Sequence, residues 1–453
     1  MSENNKRAVD MLHGGIFKKL LYITIPIFLM STLQQLFNAS DTAIVGNFSS
    51  SEAMAAVGSN APVINMIVTF FTGLSVGSNV MLSHFIGRNE EEKVNDALHT
   101  SFSVALISGF IMPFLGQVIA VPILKLLNTP SHILPMAQMY LRIYFLGMPF
   151  LMIYDFGSAV LRSIGDTRRP LYFLIAAGVL NVLLNLFFVI VLGRNADGVA
   201  YATTISNGVS AFLTLRALIR EKGMLHLDFR KLSFKWKYIR RILWIGAPAG
   251  LQGMIFSISN VVIQAAINLF GSDCVAGNSA ALNIEYICYF MVNATCQALM
   301  TFVSQNYAAG NYDRCKRTTY IAFASAIGFT AILSVATYLL RFPIISLFTH
   351  DPNVMKYAMI RMLWIALLEP MTALYEVPGA SLRGIGYSFV PTIITMLGCC
   401  GLRLLYIHAM LHQFTVFYQV VMIYPISWAI TGAAMIILYF IVTKHVYRKR
   451  ETN

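Results

Sequence analysis

Long apolar runs follow one another along almost the whole chain, separated only by short polar breaks. This feature constrains the fold more than any other. A helix crossing the hydrocarbon core of a bilayer needs roughly 20 consecutive apolar residues, with every backbone polar group bonded inside the segment. Runs of that kind lie near 17–46, 53–86, 92–122, 132–164, 169–193 and 197–220, and again near 241–270, 276–308, 313–347, 353–385, 388–411 and 415–443. None alternates in period two, as the strands of a membrane barrel would. Charged residues are 12% of the 453, about half the share of a soluble domain, which is too little polar surface to coat a soluble globule. The chain is therefore expected to be an all-α polytopic membrane protein of about twelve transmembrane helices.

The net charge of +13 does not imply nucleic acid, because the basic residues gather at the ends of the runs. Odd-numbered breaks, such as NFSSSE, LGRNADG, FGSDC and LHQF, are poor in Lys and Arg. Even-numbered breaks are richer: Arg88 and Lys93, Arg168 and Arg169, a long series from Arg216 to Arg241, then Arg314, Lys316 and Arg317, with Lys444, Arg448, Lys449 and Arg450 in the tail. Under the positive-inside rule both termini and the central linker face the cytoplasm. The first run reaches about Val45 without a small-residue cleavage site, so it is expected to be a retained span rather than a signal peptide. The cysteines Cys274, Cys288, Cys296, Cys315, Cys399 and Cys400 form no metal-type CxxC pair and lie mostly within spans, as small apolar residues do.

The two halves of the chain repeat. Residues 149–170, PFLMIYDFGSAVLRSIGDTRRP, and 370–391, PMTALYEVPGASLRGIGYSFVP, share eight identities in 22 ungapped positions. Asp155 is replaced by Glu376. Lys18 and Lys19 precede Pro26 as Arg240 and Arg241 precede Pro248, and Asn38 matches Asn260. A six-span unit repeats in the same orientation, because six is even. The expected domains are an N-terminal lobe at 1–220, a basic cytoplasmic linker at 221–240 and a C-terminal lobe at 241–453. In transporters, parallel halves of this kind flank a central cleft with the substrate site near the midplane.

Charges kept inside a span cost roughly 2.5–3.5 kcal/mol on insertion scales and mark ion or substrate paths. Asp41 stands in the first span, and its repeat partner is Ile263, so shared architecture does not account for it. Gln34 and Asn38, seven and three residues earlier, fall on its helical face. Asn181 and Asn185 place two amides on one face of the fifth span. A carboxylate beside amide oxygens and hydroxyls can bind a proton or a small cation. Asp155 and Glu376 are repeat-related and are read equally as architecture or cleft lining. Glu285, Glu369 and Arg403 form a second candidate network, in which Arg403 is expected to meet Glu285, Glu369 or Glu376. Pro26, Pro149, Pro248 and Pro370 are expected to kink their spans.

These residues carry a resemblance to a known family. FKKLLYITIPIFLMSTLQQLFNASDTAIVG in the first span, SHFIGRNEEEK, LRSIGDTRRP, NVLLNLFFV and SQNYAAGNYDRCKR together resemble the multidrug and toxic compound extrusion (MATE) family, and within it the DinF-like branch. The resemblance implies two six-helix lobes forming a V-shaped cleft and export of small organic, often cationic, compounds driven by inward flow of H⁺ or Na⁺. It implies that Asp41, with Gln34 near it and Asn181 in the fifth span, takes the coupling ion. Many DinF-like members have Asp where this chain has Asn185. The acid that another branch uses in the seventh span has no counterpart here, and Glu285 resembles an acid common in the eighth span. The resemblance also implies a monomer in a bacterial inner membrane.

Other classes fit less well. A flippase for lipid-linked sugars would need a more cationic cleft, and Arg403 is the one deep basic residue among the candidates. An enzyme would need a catalytic cluster, yet HExxH, DDxxD, GxSxG and Walker sequences are absent and His84, His99, His408 and His412 are scattered. With no nucleotide-binding motif, uphill transport would draw on an ion gradient. No cofactor beyond that H⁺ or Na⁺, no structural metal and no nucleic-acid partner is expected.

Overall fold

The computed structural model describes residues 8–127, 129–410 and 413–451. His412 and both extreme termini lie outside the described residues, as do the side chains of Lys449 and Arg450. The described residues fold as helices throughout. The first half contains α1 (Ile16–Phe48), α2 (Ser51–Gly87), α3 (Glu91–Leu126), α4 (Leu134–Leu146), α5 (Met148–Ser163), α6 (Arg168–Leu186) and α7 (Ala196–Ile219). The second contains α8 (Trp236–Asn268), α9 (Ser272–Ala308), α10 (Tyr312–Leu339), the short α11 (Arg341–Ser346), α12 (Pro352–Trp364), α13 (Ala373–Gly384), α14 (Phe389–Thr395), α15 (Leu402–Met410), α16 (Phe417–Val421) and α17 (Ile423–Glu451).

Ten stretches of the described residues are long and apolar enough to cross a membrane, three of them joining successive helices (α12–α13, α14–α15 and α16–α17), or eleven when the bent pair α4–α5 counts as one span. The 24-residue α7 is not among them. Thr203, Thr204, Ser206, Asn207 and Ser210 lower its apolarity, and Thr203 belongs to the site described below. With α7 included, the helices follow the twelve-run pattern of the sequence.

The prolines divide into two kinds. Pro26 and Pro248 stand inside α1 and α8. Pro149 instead opens α5 after a 46° break at Gly147, where its missing N–H is no loss. Pro370 lies in a 3₁₀ turn, Ala366–Thr372, between α12 and α13. At Gly147 the span is broken rather than kinked, whereas the turn around Pro370 lies within a span that runs continuously from Pro352 to Gly384.

The chain forms two compact units, one of residues 1–10 and 29–250 and the other of 11–28 and 251–453. This division differs from one at 221–240. In the second unit, Arg314 donates to the backbone carbonyls of Met11, His13 and Gly14 at 2.8–2.9 Å, and Asn306 donates to that of Met11 at 3.1 Å. In the first unit, the segment before α8 buries Leu225 and Leu227. The Asp228 N–H donates to His99 Nε2 at 3.1 Å, and Lys235 pairs with Asp96 at 2.6 Å. The opening half of α8 then packs against α2, where Gly246 and Gly250 meet Gly73 and Leu74 with no room for a Cβ. The linker is thus folded onto the first unit by buried leucines, although its composition is basic and polar.

Candidate functional site

In the first unit, α1 and α6 come into contact at Phe37 and Gly178. A Cβ at Gly178 would overlap the Phe37 ring, so the missing side chain sets how closely the helices approach. One turn further along α1 stands Asp41. One and two turns further along α6 stand Asn181 and Asn185, and α7 brings Thr203 to the same level. Asp41, Asn181 and Asn185 are 7%, 6% and 0% exposed.

The four side chains form a closed hydrogen-bond ring. Asn185 Nδ2 donates to Asp41 Oδ1 at 2.5 Å and to Asn181 Oδ1 at 3.2 Å. Asn181 Nδ2 donates to Thr203 Oγ1 at 3.4 Å, and Thr203 Oγ1 donates to Asp41 Oδ2 at 3.4 Å. Both carboxylate oxygens are therefore engaged. Among the described residues, the buried Asn185 Oδ1 has no hydrogen-bond partner, leaving an acceptor beside the carboxylate. Immediately after Asn185 the helix continues as a π-helical turn, Phe187–Val191, a local irregularity that often accompanies functional sites. A buried carboxylate held only by neutral donors is costly as an anion, and uptake of a proton or small cation offsets that cost.

The second unit contains a different arrangement. Arg361 of α12 donates to Glu285 Oε2 of α9 through Nε at 2.9 Å and Nη2 at 2.8 Å, and through Nη1 to Asn278 Oδ1 at 2.7 Å. Arg403 Nε donates to Ser427 Oγ at 3.0 Å, and its guanidinium lies 4.1 Å from the ring centroid of Tyr424 and 5.9 Å from that of Trp428. Among the described residues Arg403 forms no ion pair. The expected meeting with a carboxylate does not occur, because Arg361 takes Glu285 and Arg383 takes Glu376. Glu369 is 3% exposed, and its Oε2 has no hydrogen-bond partner among the described residues.

The repeat-related acids also part company. Glu376 is buried and pairs with Arg383, seven residues on, at 3.3 Å, while Arg383 also donates to Gln252 at 3.2 Å. Asp155 is half-buried and accepts from Thr72 Oγ1 at 3.1 Å. Among the described residues it forms no ion pair with Arg162, the repeat counterpart of Arg383.

Gln34 and Asn38 stay outside the Asp41 ring. Both share its helix face by spacing, but both side chains are exposed. Sequence reasoning missed Thr203 and Arg361. The same test that singled out Arg403, a full charge inside an apolar run, also applies to Arg361. The weak apolarity of α7 was the signal for Thr203.

The chain is thus a helical membrane protein with an internal repeat, a buried carboxylate–amide ring in one unit and buried ion pairs in the other. The MatE family model matches residues 26–187 and 248–407, so it covers both halves and most of the chain. The chain belongs to this family of membrane transporters. It is similar to the probable multidrug resistance protein YpnP of Bacillus subtilis (strain 168), with 27% identity over 88% of this chain and 89% of that protein. It is also similar to an FAD transporter of Shewanella oneidensis, with 27% identity over 77% of each chain. A solved structure described as MATE in the bent conformation shares the fold at a TM-score of 0.90, with 20% identity over the whole of both chains.

Proposed function

We propose that this protein is a secondary active multidrug exporter, an antiporter that couples inward flow of H⁺ or Na⁺ to extrusion of small organic, often cationic, compounds by alternating access. The observation that carries this reading is the Asp41 ring, an acid in only one half of a repeated chain, buried and held by neutral donors. Such a group can exchange a proton or small cation during a transport cycle, with Asn185 and Thr203 orienting its oxygens and Asn181 linking the two. The name of the multidrug resistance relative supports the substrate class. The Lys and Arg distribution supports a multi-pass protein of a bacterial inner membrane with both termini cytoplasmic, and by analogy with the family it acts as a monomer.

The test is dye transport in proteoliposomes holding wild type or Asp41→Asn, with H⁺ and Na⁺ gradients imposed separately. Gradient-driven transport by wild type and its loss in the folded variant are expected, and the active gradient names the ion. Full transport by Asp41→Asn would remove the mechanism.

A further inference from the structure

The second unit carries an apolar groove of about 480 Å³, lined by Phe17 at the start of α1 and by Ile321, Ala324, Ser325, Gly328, Phe329 and Ile332 of α10. The α10 residues follow helical spacing and form one stripe. Extending that stripe by one turn toward the start of α10 reaches Arg317, four residues before Ile321 and exposed. The first turns of α10 and its N-cap carry the polar sequence NYDRCKR, so Arg317 lies at the edge of the apolar run. From Arg317 to Ile332, the farthest lining residue, the helix rises about 22 Å, within a hydrocarbon core roughly 30 Å thick. A basic head at the rim and an apolar channel running into the hydrocarbon match the two ends of a phospholipid.

We propose that this groove binds one anionic glycerophospholipid, its phosphate on Arg317 and one acyl chain along the α10 stripe against Phe17. Phe17 belongs to the segment of α1 that packs within this unit, whose approach is clamped by Arg314 on Met11, His13 and Gly14. A bound acyl chain would add a second contact between the start of α1 and α10, and so raise the stability of that arm. The proposal does not depend on the transport reading, because it concerns a different face and a different ligand.

Gly328 gives a selective test. A Cβ built there meets nothing within 4 Å, so Gly328→Phe would fill the groove without disturbing the backbone, and leaving glycine favours the helix. Gly328→Ala controls for helix propensity, because a single methyl leaves the channel open. The full-length protein is delipidated in detergent and titrated with phosphatidylglycerol or with diacylglycerol of the same chains. Bound lipid is read by native mass spectrometry, and thermal unfolding is followed in parallel.

Wild type and Gly328→Ala are expected to retain one phosphatidylglycerol and to unfold at a higher temperature with it. Gly328→Phe, folded in the absence of lipid, is expected to lose at least tenfold in retention along with the thermal shift. Arg317→Gln is expected to lose about fivefold for phosphatidylglycerol and nothing for diacylglycerol. Equal retention by wild type and Gly328→Phe would overturn the site. Equal retention of the two lipids by wild type would overturn the headgroup assignment. A wild-type dimer abolished by Gly328→Phe would make a second copy the occupant and overturn the lipid.

Discussion

Asn185 holds Asp41 and Asn181 with one amide group, donating to both from Nδ2, and this makes it the keystone of the ring in the first unit. Asn185→Leu keeps the approximate volume but removes both donated bonds. A buried acceptor left without its donor costs roughly 1–3 kcal/mol. Two acceptors are orphaned here, so the variant is expected to be less stable than wild type by roughly 2–6 kcal/mol and to lose gradient-driven transport. Asp41→Asn, by contrast, retains a donor and acceptor set that can rejoin the ring after an amide rotation. Its stability is expected to stay within about 1 kcal/mol of wild type while transport is lost. Thermal unfolding in detergent, measured beside proteoliposome transport, separates the two effects.

The close approach of α1 to α6 makes a second prediction. Gly178→Val introduces carbon atoms where the Phe37 ring lies, and overpacking of this kind typically costs about 1–3 kcal/mol. Because Asp41 is one turn from Phe37, separating the helices would also stretch the ring. Phe37→Ala alone leaves a void, but the double variant Gly178→Val with Phe37→Ala should recover part of the stability, giving a coupling of about 0.5–3 kcal/mol in the cycle. Additive effects of the two changes would show that the contact does not set the helix spacing.

A third prediction concerns the segment between the halves. Leu227 is 1% exposed and the following N–H donates to buried His99, so the segment is held as part of the first unit. Limited proteolysis should leave residues 224–235 uncut in wild type. Leu227→Asp, which would bury an unpaired charge, should make the same segment the first cleavage site. Cleavage there in wild type at the earliest time points would contradict the fold described for this segment.

Much of the architecture is legible in the chain itself. Runs of apolar length, basic breaks and the doubled PxxxxY…LRxIG segment give helical spans and an internal repeat, because the bilayer imposes the first two and sequence identity exposes the third. Asp41, Asn181 and Asn185 are legible as a group for a related reason: polar side chains in apolar helices are few and must find one another. Gln34 and Asn38 show the limit of that logic, since helical spacing tells which residues share a face but not which neighbouring helix covers it at each level. The exchange of opening segments between units is hidden as well. It depends on contacts such as Arg314 with the Met11 carbonyl, between residues some three hundred positions apart, which no local pattern announces. Arg403 is visible in the sequence but wrongly partnered from it, because a charge in a span demands some compensation and does not name it. Here Ser427 and the Tyr424 face supply it.

The second unit offers the clearest energetic prediction, because Glu285 and Arg361 form a buried ion pair with Asn278 completing the guanidinium's contacts. Removing one member leaves the other charged and unpaired in a low-dielectric interior, which costs about 3–5 kcal/mol. Arg361→Met is therefore expected to be strongly destabilised, and Glu285→Gln to be destabilised as well, with Arg361 left to Asn278 and the π face of Tyr424, whose centroid lies 5.5 Å away. The double variant Glu285→Leu with Arg361→Met replaces the pair by apolar side chains of similar size, and such replacements are often neutral or stabilising. It should consequently unfold at a higher temperature than Arg361→Met alone. If it does so and still transports with an unchanged ion requirement, the pair serves architecture. If it folds as well as wild type but no longer couples transport to the gradient, the second unit takes part in energising the cycle, and the Asp41 ring is then one of two coupled sites.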